Sequence, residues 1–502
     1  MVFATGDLKK RIDRNILRLK SNEYRSPDVF GLGLDWPGDW QGRDLLALCA
    51  QYRSTGDSSV LGQASEIVRE LPFRINRDGY MGELLDYSCV NEQQLSGNSW
   101  LVRGLCAYYR ITEDGQTHEM LQRYGENFFL PLLPCYRDYT VSEAFEGGVS
   151  GHVSESADGG WKHSSDIGCA FILLDGLTDL CEVLRDEKLI GLAKIIAEKF
   201  LSIDYVAVRF QTHAMLSATR GVLRLFRLTG DESYLAYAKN NFSLYAECGT
   251  TVNYANQNWF GRRDSWTEPC GFIDSFMLAT ELYKATGNTG YLRFADRVYL
   301  NAFRSAQRKN GGAGCETCLT KDGNQMRVHI YEAFFCCTMR YADGLDYVRD
   351  NAITEKEKGK FAALSTVGGR WESEDCAFEY TFDGLRGKAV IEVGRGKVEE
   401  IDLYLPENVH AEGNDCVREK DGMLICGPLP EGRHVFTLRT QIAEKTVDGV
   451  KARYFADYLL TEKEYEDSSP VQMEIDGRIF SPLEDCISVE ERLGISAYLQ
   501  KI

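Results

Sequence analysis

The sequence predicts a mainly α-helical protein with a C-terminal β domain, an (α/α)6 barrel followed by a β-sandwich. Turn signals of the Thr-Gly or Asp-Gly type recur at Gly56, Gly115, Gly230 and Gly287. These glycines are separated by one or two units of roughly 58 residues, the length of two paired helices with their connections. Beyond about residue 350 the apolar residues alternate with a period of two, which is typical of strands.

Three segments follow from this pattern. Residues 1–350 are expected to form the barrel, because apolar residues there recur at helical spacing between Gly, Asn and Asp punctuation. Residues 351–370 are expected to be a linker, since they open with a run of alternating charges. Residues 371–502 are expected to form the β-sandwich. Strand-like alternation is clearest at residues 377–382, 389–393, 401–405 and 434–439.

Composition excludes several classes of partner. The chain has 502 residues and a formal net charge of −18, so neither nucleic acid nor an anionic membrane surface is expected to bind it. No run of about 18 apolar residues occurs, so no membrane span is expected. The first residues lack the apolar segment of a signal peptide, and the 16 cysteines are scattered through apolar stretches. We therefore expect reduced thiols and a cytoplasmic protein.

The strongest chemical signal lies between residues 264 and 340. Glu268 and Cys270 precede a predicted helix, and Cys336 and Cys337 precede another. Free N–H groups and the positive end of the helix dipole favour thiolates at such positions. The two pairs flank a predicted helical hairpin, which can bring its ends together. One carboxylate and three thiols make a complete ligand set for Zn²⁺.

A rival metal site remains open. Cys315 and Cys318 form a Cys-x-x-Cys pair beside a Gly-rich loop. Together with Cys336 and Cys337 they would make a structural Cys₄ zinc site. That arrangement would leave the Glu-x-Cys pair unexplained.

Aromatic and polar residues cluster in the connections that precede several predicted helices. Tryptophan and tyrosine stand there beside Asn, Gln, Asp and His, a composition suited to sugars, which present apolar faces and many hydroxyls. The alternative is that these aromatic residues fill the end of a large barrel. The connections are residues 34–42, 78–82, 147–163 and 252–260.

The pattern Glu-x-Cys, helical hairpin, Cys-Cys before a helix resembles the bacterial β-L-arabinofuranosidases of glycoside hydrolase family 127. The resemblance implies that Glu268, Cys270, Cys336 and Cys337 hold zinc and that Cys336 is the nucleophile. It also implies a helical barrel followed by β-sandwich material, in agreement with the predicted order of domains.

The resemblance further suggests residues that contact the sugar. His213 matches a helix-borne histidine that binds sugar in the family, and His163 matches another with a shift of about one position. A third family histidine falls on Trp100, which would replace that contact by stacking. Asn258 and Trp259 fall within the segment that carries the family's catalytic acid, and we assign them to substrate binding.

The general acid is the main departure from the family. The position of the family's catalytic glutamate holds Asn258, and an amide cannot protonate a leaving group. The candidate replacements are Glu332, Asp264, Glu247 and the pair Glu143 and Glu146. Glu332, four residues before Cys336, is our first choice.

These inferences predict a retaining glycosidase that uses a zinc-bound thiolate on L-arabinofuranosides or a related glycoside. Its partners would be a carbohydrate substrate and, at most, a second copy of the chain in a homodimer. Three alternatives stay open: a lyase or epimerase acting on a sugar, a zinc- and sugar-binding pseudoenzyme, and a structural zinc protein.

Overall fold

The computed structural model describes residues 1–31, 35–141, 150–317, 325–412, 417–447, 449–463, 471–486 and 494–500. Its helices are α1 Gly6–Leu19, α2 Asp39–Thr55, α3 Ser58–Glu70, α4 Glu92–Thr112, α5 Gly115–Arg123, α6 Leu133–Arg137, α7 Leu173–Leu184, α8 Glu187–Leu201, α9 Thr212–Thr229, α10 Glu232–Cys248, α11 Pro269–Thr286, α12 Thr289–Arg297, α13 Arg304–Ala306, α14 Cys337–Ala352 and α15 Leu483–Cys486.

The barrel consists of two concentric rings of helices. In the inner ring each helix packs on the next, in the order α2, α4, α7, α9, α11 and α14, and α14 closes onto α2. The helices α1, α3, α5, α8, α10 and α12 pack outside this ring. Inner helices are buried over most of their length, whereas outer helices bury one face and expose the other. The predicted (α/α)6 barrel is confirmed within the described residues.

The repeated turn signals end inner helices. Gly56, Gly230 and Gly287 lie just after α2, α9 and α11 with φ of 71°, 72° and 70°. This left-handed conformation strains other residues but not glycine, so these positions stop their helices. The Asp or Asn that follows each glycine caps the next helix. Gly115 differs, because it is the first residue of α5 and Asp114 caps that helix.

The strands are β1 Val2–Phe3, β2 Val90–Asn91, β3 Trp161–Lys162, β4 Gly314–Thr317, β5 Gln325–Glu332, β6 Ile353–Glu357, β7 Lys360–Ala363, β8 Gly369–Glu372, β9 Ala377–Asp383, β10 Lys388–Arg395, β11 Glu400–Tyr404, β12 Val409–Glu412, β13 Val417–Lys420, β14 Met423–Cys426, β15 Gly432–Thr440, β16 Ala443–Val447, β17 Val450–Phe455, β18 Tyr458–Lys463, β19 Met473–Ile475, β20 Arg478–Pro482 and β21 Gly494–Tyr498.

Two of the sheets form the sandwich. One has the order β1-β8-β9-β10-β15-β12 and the other β13-β14-β11-β7-β6. Their facing side chains make one apolar cluster, to which Tyr380 and Ile391 contribute from the first sheet and Phe361 and Leu403 from the second. The C-terminal β domain is thus confirmed.

The segment expected to be a linker forms β6 and β7 instead. These strands pair antiparallel at the edge of the second sheet. The charges of Glu355, Lys356 and Glu357 that suggested a linker are exposed or partly exposed side chains of the edge strand β6. Charged residues on an edge strand also oppose pairing with other chains.

A third sheet joins the two parts of the chain. It runs β16-β17-β18-β21-β5-β4, so the C-terminal strand β21 pairs with β5 of the barrel segment, which in turn pairs with β4. Residues 1–350 are therefore not all helical, because β4 and β5 precede α14. The sequence predicts only a Gly-rich loop beside Cys315 here, and the strand partner of β5, β21, lies more than 160 residues further along the chain.

A buried ionic seam joins the barrel to the β domain. The Arg297 guanidinium donates to Asp457 Oδ1 at 2.7 Å, to Glu407 Oε2 at 2.9 Å and to the Tyr254 hydroxyl at 2.8 Å. Its side chain is 1% exposed, so these partners replace the water that the charge has lost.

None of the described helices is long and apolar enough to span a bilayer.

Candidate active site

A thiol–carboxylate cluster lies where two inner helices begin. Glu268 is the N-cap of α11, and Cys270 is the second residue of that helix. Cys337 is the first residue of α14, and Cys336 is its N-cap. The sequence predicts that both cysteines precede this helix; α14 instead includes Cys337 as its first residue, so both cysteines stand at the helix start. Since α11 and α14 are neighbours in the inner ring, the ends of the predicted hairpin meet.

The cluster has the dimensions of a zinc site. One ligand atom from each of the four residues lies within 4.8 Å of all the others. The Sγ atom of Cys337 lies 3.4 Å from that of Cys336 and 4.0 Å from that of Cys270. A tetrahedral zinc ion with Zn–S bonds of about 2.3 Å places its sulfur ligands about 3.8 Å apart. The donor set and its spacing fit Zn²⁺.

The electrostatics of the cluster also fit a cation. Burial, aided by the nearby Cys270 thiol, raises the pKa of Glu268 to about 8. Burial likewise raises the pKa of the Cys270 and Cys337 thiols. Hydrogen bonds from Cys270 and Cys337 lower the pKa of Cys336 to about 7. The four acidic groups cannot all be deprotonated at low cost so close together, and a bound divalent ion would stabilise their deprotonated forms.

The cluster opens into a cavity of about 440 Å³. This volume lies in the range of small-molecule sites, about 300–1,000 Å³. Trp36, Trp40, Trp266, Tyr331 and Phe335 contribute aromatic surface to its wall. The other lining residues are Asp39, Arg43, Ser96, Ser150, Gly151, Asp166, Ile172, Gln211, His213, Glu268, Cys315 and Cys336. Aromatic surface beside polar groups is the arrangement that the sequence suggested for sugar binding.

His213 reaches this cavity in a fixed orientation. Its Nδ1 lies 2.9 Å from Oδ2 of Asp274, while Nε2 has no hydrogen-bond partner among the described residues. Asp274 in turn accepts from Arg220 at 2.8 Å and from Arg340. A histidine held at Nδ1 keeps Nε2 for a ligand. The predicted sugar contact of His213 stays a prediction that its placement favours.

The other predicted sugar contacts are not among the described residues that line the cavity. Trp100 is fully buried, with the guanidinium carbons of Arg43 and Arg103 at 3.7 and 4.3 Å from its ring centroid. Its ring therefore stacks on cations, and no surface is left for the sugar that we expected there.

Three further predicted sugar contacts, Asn258, Trp259 and His163, are also absent from the described cavity wall. Asn258 is fully buried beside the segment that leads to α11. Trp259 packs edge-on against Trp266, with ring centroids 5.1 Å apart. His163 lies 3.3 Å from the Glu92 carboxylate through Nδ1 and is also absent from the cavity wall. Trp259 can support the cavity only through Trp266, which does line it.

Glu332, our first choice of general acid, lies outside the cavity wall. Its carboxylate accepts from Arg18 Nε at 2.8 Å, from Asn310 Nδ2 at 2.7 Å and from Thr338 Oγ1 at 3.1 Å. It ends β5, and the strand direction carries it towards α1 rather than towards Cys336. Its contacts are those of a carboxylate that ties β5 to the barrel.

Two cavity carboxylates were missed from the sequence. Asp39 forms a double hydrogen bond with Arg43, at 2.7 and 3.1 Å, and is thereby neutralised. Asp166 accepts from Ser150 Oγ at 2.7 Å, from the Gly151 amide at 2.9 Å and from Gln211 Nε2 at 3.1 Å. No local motif marks Asp166, which is brought to the cavity by the closure of the ring.

The rival Cys₄ site is only partly described. Cys315 lies on β4, lines the cavity and is hydrogen-bonded closely enough to Cys337 to raise the pKa of that thiol. Cys318 lies outside the described residues. Cys315 is not part of the four-residue cluster.

Comparison with known proteins agrees with this geometry. Residues 166–350 match the family described as "Beta-L-arabinofuranosidase, GH127 catalytic domain". A GH127 β-L-arabinofuranosidase from Geobacillus stearothermophilus T6 is 13% identical, with a TM-score of 0.65 over 92% of this chain and 86% of that chain. A second GH127 β-arabinofuranosidase is 11% identical, with a TM-score of 0.64 over 98% of this chain and 91% of that chain. No curated protein matches significantly.

The expected resemblance to glycoside hydrolase family 127 is thus confirmed. The matched residues contain all four members of the cluster, together with Asp166 and His213. The solved structures share the fold. The matching model describes the catalytic domain of a glycosidase family, which supports a glycoside hydrolase.

Proposed function

We propose that this glycoside hydrolase cleaves L-arabinofuranosides or closely related glycosides with retention, through a thiolate of Cys336. The observation that carries the proposal is the cluster of Glu268, Cys270, Cys336 and Cys337 at the cavity. Of its three thiols, only Cys336 lines the described cavity; Cys270 and Cys337 are fully buried. A nucleophile must reach the substrate, so the geometry favours Cys336.

The four residues would hold Zn²⁺, which when bound would keep the three thiols deprotonated near neutral pH. The Cys336 thiolate would then attack the anomeric carbon, and the bond from that carbon to the leaving oxygen would break. A thioglycosyl adduct on Cys336 would result, and water would later release the sugar with its original configuration. Two inversions at one carbon account for retention.

Other cavity residues would bind and orient the sugar. Gln211 and His213 stand at the start of α9, so both side chains are fixed by an inner helix. Trp36, Trp266 and Phe335 offer apolar surface for a ring face or an aryl leaving group. A carbohydrate is therefore the expected partner. Cytoplasmic localisation and a homodimer remain predictions from the sequence.

Covalent labelling tests the proposal. We expect a cyclophellitol-type epoxide of arabinofuranose shape to add one equivalent to Cys336, detected by mass spectrometry of the digested protein. Cys336→Ser should lose labelling and reduce kcat by at least about a thousandfold, as removal of a nucleophile does. Cys106→Ser, a buried thiol of α4 outside the cluster, is the matched control and should label normally.

Two results would contradict the proposal. Full activity in Cys336→Ser on nitrophenyl furanosides and pyranosides would exclude the thiolate mechanism and favour a lyase or epimerase. Absence of turnover by the wild type on the whole panel, with zinc and sugar still bound, would favour the pseudoenzyme.

A further inference from the structure

We propose that Asp166 is the general acid and base of this site, protonating the departing oxygen and then accepting a proton from the attacking water. The inference rests on the proposed function and supplies the residue that the function lacks. Neither Asn258 nor Glu332 lies in the described wall of the cavity, whereas Asp166 does.

Comparison of the carboxylates in the described cavity wall singles out Asp166. Asp39 is paired with Arg43, and Glu268 belongs to the metal cluster. Asp166 forms no ion pair with a described Lys or Arg, although its side chain is almost completely buried. A carboxyl group that must gain and lose a proton needs freedom from such a pair.

The hydrogen bonds of Asp166 fix the orientation of its carboxyl group and leave one acceptor site of Oδ2 available for a proton. Its Oδ1 accepts from Ser150 Oγ and Gln211 Nε2, and its Oδ2 accepts from the Gly151 amide. A carboxylate oxygen has two acceptor sites, so Oδ2 keeps one for a proton. The orientation is fixed from two sides, by the segment that includes residues 150–151 and by the residue before α9.

The surroundings of Asp166 favour its protonated form. Burial raises its pKa above the ordinary range, and the nearby Glu92 carboxylate acts in the same direction. The donors Ser150 and Gly151, and His152, act in the opposite direction. Glu268 lines the same cavity, and the Asp166 carboxylate contributes to the raised pKa of Glu268.

The proposed steps balance. In the first, the C–O bond pair passes to the leaving oxygen, which takes the proton from Asp166 Oδ2, while a sulfur lone pair of Cys336 forms the C–S bond. In the second, the Asp166 carboxylate takes a proton from water, the water oxygen bonds to the anomeric carbon, and the C–S pair returns to sulfur. The enzyme ends as it began.

Leaving-group dependence tests Asp166. We expect Asp166→Asn to reduce kcat/KM at least about a hundredfold for methyl arabinofuranoside, within the usual range for an acid catalyst. For the 4-nitrophenyl glycoside, whose phenol leaves unaided, kcat/KM should fall less than about tenfold. The second step still lacks its base, so a thioglycosyl adduct on Cys336 should accumulate in the intact mass spectrum.

Two further readouts separate catalysis from structure. The alkaline limb of the kcat/KM profile should disappear in Asp166→Asn. In Asp166→Ala, added azide should restore turnover of the nitrophenyl substrate and yield a glycosyl azide of retained configuration. Zinc content and thermal midpoint are measured for both variants and should match the wild type. Glu332→Gln is the matched control and should keep the alkaline limb and the leaving-group dependence of the wild type.

Several outcomes would overturn the inference. Equal losses on both substrates with an unchanged pH profile would make Asp166 a structural residue. Loss of the alkaline limb in Glu332→Gln instead would return the role to Glu332. A wild type that turns over neither glycoside would overturn the proposed function together with this inference, whereas the first two outcomes leave the role of Cys336 intact.

Discussion

Two acids of helix α11, Glu268 and Asp274, lie six residues apart, and their pKa values are shifted in opposite directions. At the start of the helix, burial and the neighbouring thiol raise the pKa of Glu268 to about 8. Six residues later, the pKa of Asp274 lies well below its ordinary value, because Arg340 and Arg220 outweigh the effect of burial. Glu268 is half-buried at the cavity wall and Asp274 is fully buried, yet it is the less buried acid whose pKa rises, so the supply of cations decides the direction of each shift.

The comparison separates two uses of buried charge. Around Asp274 the protein provides its own counter-ions, and the aspartate stiffens the interior and orients His213. Around Glu268 it assembles a carboxylate and three thiols whose charged forms are disfavoured by burial, and a positive ion from solution would stabilise those charged forms. Four such groups within 4.8 Å of one another at a cavity are therefore the part of the molecule suited to a bound cation.

The largest expected effect comes from removing the charge of Asp274, which is paired with Arg220 and Arg340. Asp274→Asn should lower the free energy of unfolding by about 3 kcal/mol near neutral pH, because Arg220 and Arg340 lose a buried partner. The folded-state pKa of Asp274 is depressed, so its contribution is present above the unfolded pKa near 4 and is lost only as pH falls through the folded value.

Thermal unfolding of the metal-loaded protein measures this loss. Asp13→Asn breaks the exposed ion pair with Lys9 on α1 and should change stability by less than about 0.5 kcal/mol. Equal shifts in the two variants would show that the interior charges contribute no more than surface ones.

A smaller effect, on zinc affinity, is expected from substitutions in the cluster of Glu268 with Cys270, Cys336 and Cys337. Glu268→Gln or Cys270→Ser should reduce bound zinc from about one per chain and weaken its affinity at least about tenfold, since a four-ligand set loses one member. Elemental analysis after dialysis against a weak chelator measures this. Cys106→Ser should retain the metal. If zinc survives both substitutions but is lost in Cys315→Ser, the Cys₄ site is correct instead.

The smallest effect concerns Asp44 on α2, an acid with neither a cation nor a ligand. Burial raises its pKa well above the ordinary value, and neither oxygen has a hydrogen-bond partner among the described residues. A raised carboxyl pKa means that stability is lost as pH increases from the unfolded value towards the folded one. Asp44→Asn removes this titration and should stabilise the protein at pH 8 by about 1 kcal/mol.

The pH dependence of the thermal midpoint checks that sign. The difference between Asp44→Asn and the wild type should grow from pH 5 to pH 8. In Asp57→Asn it should stay constant over that interval, since a hydrogen bond from Lys20 lowers the pKa of Asp57 to about 2 and the carboxylate is already ionised. A growing difference in both variants would locate the titration elsewhere.

Features that depend on residues close together in the sequence could be predicted from it. Turn glycines, helix starts and the alternation of the β domain are local patterns, so the barrel, the sandwich and the cluster of Glu268 with three cysteines could be deduced. Features that depend on ring closure could not. Asp166 reaches the cavity from a connection far from α11, and nothing within that connection distinguishes it.

The direction in which a side chain points could not be predicted from the sequence either. Glu332 is four residues from Cys336, a spacing that suggested proximity, but it ends a strand and points to Arg18. Trp100 lies among polar residues, as sugar-binding tryptophans do, but guanidinium groups from α2 and α4 cover it. A one-dimensional pattern gives residue types and spacing, whereas both outcomes depend on which neighbouring element supplies a cation.

The third sheet has a consequence for how the molecule is made. Cys315 and Tyr331 bring one wall of the cavity from β4 and β5, and β5 is hydrogen-bonded to β21 near the C-terminus. A nascent chain synthesised only as far as α14 already contains all six inner helices. Its strand β5, however, still lacks the partner strand β21. Competence for catalysis would then require residues 494–498, and a fragment of residues 166–350 alone would lack this strand.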